Sequence, residues 1–198
     1  MPKNRLEAFA DGIFAFAATL LILNLMVSGV SVGTELLQIW PSYVAYAVSF
    51  ITIGIIWINH HTVMHQVAHV NRLFLVLNVF FLMMIAFIPF PTRLLALYVN
   101  DPKQAEAAAI AYGVTLTLTA VFINLLWRYA ASGHRLLRDN ADARVVEGIS
   151  RSYLPGPFIY LAGTAVALVS PRASALIYVG IAVFYVLESS IFGGQRQT

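Results

Sequence analysis

The stretch R-L-E-A-F-A-D-G-I-F-A-F-A-A-T-L-L-I-L-N-L, residues 5–25, sets Arg5, Glu7 and Asp11 ahead of a run that stays almost wholly apolar to Ser28. A run of that length is a membrane-helix signal, because the hydrocarbon core takes about 20 apolar residues to span. A carboxylate on such a helix costs roughly 2.5–3.5 kcal/mol near the bilayer centre on insertion scales, and less near the interface. It persists where it is paired, where it lines water, or both. Asp11 is therefore a candidate functional or architectural residue.

The rest of the chain has the same character. Its 198 residues are 60% hydrophobic and 11% charged, against about 25% charged in soluble domains. Six stretches are long enough to read as spans: Ala8–Ser28, Leu37–Ile58, Leu73–Tyr98, Ala107–Tyr129, the shorter Tyr153–Val169, and Ala173–Phe192. The expected fold is one all-α integral membrane domain over residues 1–198. The first segment is too long for a leader's apolar region and reads as the first span. The absence of cysteine excludes disulfides, thiolate metal sites and iron–sulfur clusters. The formal charge of +3 comes mostly from loop arginines, so it speaks to topology and not to nucleic acid.

With the N-terminus cytoplasmic, nine basic residues fall inside: Lys3, Arg5, Arg72, Arg128, Arg135, Arg138, Arg144, Arg151 and Arg196. Arg93, Lys103 and Arg172 fall outside. The asymmetry predicts both termini in the cytoplasm of a multi-pass protein of the cell membrane. Trp40, Tyr43, Tyr98, Trp127 and Tyr153 near span ends fit interfacial anchoring. Val30–Glu35 reads as an outer turn with Gly29 and Gly33 as breakers. Pro89 and Pro91 disturb the third span, and Asn100-Asp-Pro102 is a turn signal. Ser132–Ser152 is the one sizeable polar linker and reads as a solvated amphipathic segment.

At 100° per residue, with Phe16 as zero, Leu20, Leu23 and Val27 fall at about +40°, −20° and +20°. Thr19 flanks that stripe at about −60°, and Asp11 points away at about −140°. Helix one can show an apolar stripe to one neighbour while aiming its carboxylate at another. On periodicity alone, plain helix packing accounts for such a stripe. Helix two closes on W-I-N-H-H-T-V-M-H-Q-V-A-H, residues 57–69, which sets His61, His65 and His69 four apart on one expected helical face. No Glu-x-x-His pattern accompanies them, so solvated histidines fit better than a metal site. His60 and His61 lie at the depth of Asp11, and a carboxylate–imidazole or carboxylate–indole contact through Trp57 would satisfy both helices. Asn59 and Asn78 are candidates for the same polar layer.

These residues carry a resemblance. Arg5-x-x-x-Phe9-Ala10-Asp11 is similar to the Arg-x-x-x-Phe-Ser-Asp signature of the transmembrane protein 175 family, the endosomal and lysosomal potassium channels and their bacterial relatives. The continuation G-I-F-A-F-A-A-T-L-L-I-L, Trp57 with His60 and His61, Asn78, and I-P-F-P-T at residues 88–92 resemble it too. The likeness covers the whole six-span length, and a single-repeat chain of this size resembles the bacterial branch. It implies a homotetrameric potassium channel, not an enzyme and without a cofactor, whose pore on the oligomer axis is lined by helix one. No Thr-Val-Gly-Tyr-Gly filter occurs. The resemblance instead implies a constriction of Phe16, Thr19 or Leu20, and Leu23, passing K+ and other monovalent cations. It gives Arg5, Phe9 and Asp11 an anchoring role, with Trp57, His60 or His61 and Asn78 as partners.

The chain departs from the family pattern at three places. Ala10 stands for the signature serine, Phe16 for a branched aliphatic residue, and Asn24 for an acidic one near the outer end. Two other functional classes stay open from sequence: an ion- or proton-coupled secondary transporter, and a histidine-dependent metal or haem protein.

Overall fold

The computed structural model describes residues 2–25 and 36–192, the side chains of 186 and 188–192 excepted, and its apolar runs are helices. Helix α1 is Lys3–Leu20 and continues as a 3-10 turn, Leu21–Asn24. Next come α2, Trp40–Gln66, α3, Arg72–Phe87, and α4, Pro89–Tyr98. Helix α5 is Ala105–Ala131 and α6 is Ala143–Tyr153. The last two are α7, Gly156–Ala167, and α8, Pro171–Phe192. Val27, the Val30–Glu35 turn and Arg196, all used in the sequence reading, lie outside the described residues.

Four helical stretches are long and apolar enough to cross a membrane: Lys3–Asn24, Trp40–Gln66, Arg72–Tyr98 and Ala105–His134. They correspond to the first four expected spans. The fifth differs. Tyr153 closes α6, Pro155 and Pro157 flank the start of α7, and α7 itself has 12 residues, about 18 Å of helix. The prolines lack the N–H that would let α6 run on into α7. The sixth expected span lies within the 22 residues of α8.

The third span is broken where Pro89 and Pro91 interrupt the hydrogen-bond ladder. Ile88 N donates to Ile85 O at 3.2 Å, a tightened turn at the junction. Beyond it, Thr92 N and Thr92 Oγ1 both donate to Ile88 O, at 3.2 and 2.8 Å. The Thr92 hydroxyl being committed there, Ser49 donates to it at 2.9 Å and Tyr112 donates to Ser49 at 3.0 Å. A chain of hydroxyls from α5 through α2 thus ends on the carbonyl at the proline break. In a medium without water, such a chain is how buried hydroxyls are satisfied, while the carbonyl that Pro89 leaves without its i+4 donor, Ile85 O, is met by Ile88 N.

Helix α5 is the hub, packing against α3, α4, α7 and α8. Its Tyr112, Leu126 and Trp127 are buried, and Asn124 Nδ2 ties it to Tyr153 O at 2.7 Å. Helix α1 lies at the edge of the bundle, packed mainly on α2 and α3. The polar linker divides into two parts. Its first part is clasped to the segment after α2, with Ala68 N on Leu136 O at 2.8 Å and Arg138 N on Gln66 O at 3.0 Å. Gly133 makes the required reversal with φ 61°, a region open to glycine without steric cost. The second part is α6, capped by Asp142 and docked by Trp127 Nε1 on Ser150 Oγ at 2.8 Å.

Gly113 faces the crossing of α5 with α7 and α8, where a Cβ would overlap the hydroxyls of Tyr178 and Thr164. Gly113→Ala is expected to destabilise the bundle by about 1–3 kcal/mol through overpacking. A thermal unfolding scan in detergent checks this; an unchanged midpoint would contradict the close approach.

Candidate functional site

Helix α1 has two unlike sides. Leu6, Ala10, Phe14, Ala17 and Leu21 recur at intervals of three or four and are buried against the bundle. Phe16 and Leu23 are 59% and 61% exposed, and Thr19 is exposed with them. Leu20 is half-buried on the flank of that stripe. Three of the four residues expected at the constriction therefore stand free of the rest of the chain, and the fourth stands at the margin of its contacts. The Thr19 hydroxyl donates to Phe16 O at 2.9 Å, so its oxygen lone pairs remain available on the exposed side.

The buried side is fixed by aromatic and polar contacts. Phe14 lies against His60 and Phe81, with ring centroids 5.8 and 6.0 Å away. His60 stacks on Phe81 at 5.3 Å. Asn78 Nδ2 donates to Phe74 O at 3.3 Å, which leaves Oδ1 as acceptor for His60 Nε2 at 2.9 Å. Both His60 and Asn78 are buried. Closer to the surface, Trp57 Nε1 donates to Asp11 Oδ1 at 2.8 Å. Of the two contacts weighed for Asp11, the indole one is made.

The remaining sequence candidates fall elsewhere. His61 is exposed and touches only the rim of this layer, its ring 6.0 Å from that of Trp57. Asn59 contributes its carbonyl, which accepts from the Tyr153 hydroxyl at 2.9 Å. Arg5 and Phe9 are exposed, and Arg5 forms no ion pair among the described residues. The pair at this end is Lys3 with Glu7, at 3.5 Å. Within this chain Arg5 therefore does not tie α1 down.

Three expectations change. The stripe of His61, His65 and His69 is not one helical face, because α2 stops at Gln66 and Val67 turns extended into a bridge with Leu137. No group of three His, Cys, Asp or Glu that could hold a metal occurs among the described residues. Ala10 is 0% exposed, and no buried side-chain nitrogen or oxygen among the described residues lacks a partner, so the polar layer closes without the signature's serine hydroxyl. Asn24 does not face the open side as a stand-in for an acidic mouth residue. Its Nδ2 reaches Pro89 O at 3.4 Å, which ties the 3-10 end of α1 to the proline break.

Asn78→Leu should leave the His60 Nε2–H buried without an acceptor and cost about 1–3 kcal/mol. Thermal unfolding of the variant checks it, and an unaltered midpoint would mean that the pair carries no stability.

The family model described as endosomal/lysosomal potassium channel TMEM175 matches residues 5–89, the region that holds α1, the polar layer and the proline break. A potassium channel of Chamaesiphon minutus is 38% identical over 193 residues, covering 94% of this chain and 95% of that protein. A potassium channel of Streptomyces collinus is 35% identical, covering 92% and 91%. The crystal structure of a lysosomal potassium-selective channel TMEM175 homolog from Chamaesiphon minutus superposes with a TM-score of 0.84 at 35% identity, over 94% of this chain and 97% of that one. The apolar spans and this match together make the protein a multi-pass membrane protein. The chain belongs to the TMEM175 family.

Proposed function

We propose that the protein is a potassium channel in which copies of α1 surround a shared axis of a homotetramer, with Phe16, Thr19, Leu20 and Leu23 forming the narrow part of the path. The observation that carries this reading is the chemistry of the open side of α1. An apolar stripe alone needs no partner in a bilayer, because lipid tails are as apolar as leucine. Arg5 and the acceptor oxygen of Thr19 stand exposed on the side of α1 that carries the stripe, and charged groups in a membrane face a bundle interior or water. A central aqueous path satisfies them, whereas lipid does not.

The mechanism follows from ordinary solvation. Rings of Phe16 and Leu23 side chains narrow enough to exclude bulk water impose a dewetting barrier, which acts as a gate. When the ring opens, an ion passes partly dehydrated, and the Thr19 oxygens replace some of its lost ligands. Potassium holds its water less tightly than sodium, so an apolar collar favours it modestly. No side chain needs to do bond chemistry, and the protein is not an enzyme. Asp11 with Trp57, and the His60–Asn78 layer with Phe14, hold α1 in register. Arg5 and Phe9 extend that anchoring across the boundary between subunits. The six apolar segments cross the cell membrane with both termini cytoplasmic, the fifth as the short α7 with the residues that flank it, and the excess of basic residues on the cytoplasmic side supports that orientation.

The test is a reversal-potential measurement under a potassium gradient on reconstituted protein. Leu23→Ala is expected to widen the path and lower potassium-over-sodium selectivity severalfold; the wild-type ratio in that variant would remove Leu23 from the constriction. Asp11→Asn is expected to weaken assembly or gating while leaving selectivity intact, as read by size-exclusion chromatography beside the same recordings. Uncoupled, downhill and voltage-driven flux in liposomes separates the channel from a coupled transporter.

A further inference from the structure

Away from α1, a slot of about 260 Å³ opens between the first turns of α2, the end of α4 and the start of α8. Of its lining residues, Trp40 and Arg172 are exposed and mark the mouth, and Ser49 and Tyr112 are buried and mark the floor. The walls are narrow because small residues face one another there: Ala45 on α2, Ala96 on α4 and Ala175 on α8. From Trp40 to Ser49 is nine helical residues, a depth of about 13 Å. Half of a 30 Å hydrocarbon core is about 15 Å, so the slot runs the thickness of one leaflet. Its volume lies just below the roughly 300–1,000 Å³ of pockets for drug-sized ligands, a size that suits one slender chain.

The floor is chemically closed. Tyr112 donates to Ser49, Ser49 to Thr92, and Thr92 to the Ile88 carbonyl. Tyr178, also on the lining, donates to Thr164 at 3.2 Å. With each hydroxyl hydrogen used, an apolar chain entering the slot strands no donor, and desolvation costs little. The mouth is the opposite. The Arg172 guanidinium is exposed and has no carboxylate partner among the described residues. The nearest acidic side chain in sequence to the rim, Asp101, is already held by Lys103 N at 2.8 Å and Gln104 N at 3.2 Å.

We infer that this slot binds one acyl chain of an anionic phospholipid, with the headgroup phosphate held by Arg172 and the indole of Trp40 beside it at the interface. Charge complementarity selects the headgroup and leaflet-deep apolar walls select the tail. Arginine suits the phosphate because its guanidinium presents a planar fork of donors. Trp40 is at the depth where indoles sit in membranes. The site is independent of the ion path, so its test does not depend on conduction.

The experiment is a native mass spectrometry titration of the delipidated protein in detergent with dioleoyl phosphatidylglycerol and, separately, dioleoyl phosphatidylcholine. Wild type is expected to take up the anionic lipid about tenfold more tightly. Arg172→Gln, a rim substitution that leaves the bundle alone, should bring the two lipids to parity. Ala175→Phe should fill the slot and weaken both. Glycerol 3-phosphate, a headgroup without a tail, should not displace the lipid. An unchanged preference in Arg172→Gln overturns the proposal, as does displacement by glycerol 3-phosphate. It is equally overturned if Ala175→Phe shifts the oligomeric state with lipid uptake undiminished, since the slot would then be a contact between copies of the chain.

Discussion

Within a bilayer no water is at hand to complete a polar group's hydrogen bonds, and each such group must find its partner in protein or beside a wet path. Helix α1 is shaped by that constraint on both sides. Toward the bundle, Asp11 meets the Trp57 indole and His60 meets Asn78, while Phe14 seals the layer against Phe81. Away from the bundle, Thr19 keeps one hydrogen bond to its own helix and leaves its oxygen open. A helix so held on one side and so furnished on the other is suited to standing at an axis.

The same constraint explains how the broken third span survives. Two prolines remove backbone donors in the middle of an apolar stretch, a defect worth about 3 kcal/mol or more in an ordinary helix. Here the Ile85 carbonyl, which Pro89 leaves without its i+4 donor, takes Ile88 N in a tightened turn. Around the junction the hydroxyls of Thr92, Ser49 and Tyr112 and the Asn24 amide are all paired. Asn24 follows Leu23 directly, so the end of α1 that carries the stripe also packs on the proline break.

Legibility varied with the physics involved. The first four spans could be read because length and hydropathy decide them locally. The Asp11–Trp57 contact was also within reach, because depth in the membrane pairs the start of one helix with the end of the next. Other features were not local. Periodicity made His69 a continuation of α2, but Val67 is drawn into a bridge with Leu137, seventy positions away in the chain. Asn24 read as a mouth residue until its partner, the Pro89 carbonyl sixty-five positions away in the chain, was in place. Ala10 read as a gap in a polar network, yet its site is buried without an orphaned atom.

Sequence alone determined that this is a helical membrane protein, which segments are apolar, and which helix carries both a charged signature and an apolar stripe. Those properties follow from solvation and periodicity, which act residue by residue. Only the tertiary structure decided which side of α1 the bundle covers, which histidine is enclosed and which is wet, and that Arg5 is left facing outward. Those outcomes depend on what each side chain meets across a helix crossing, and no spacing within a single segment encodes its neighbour.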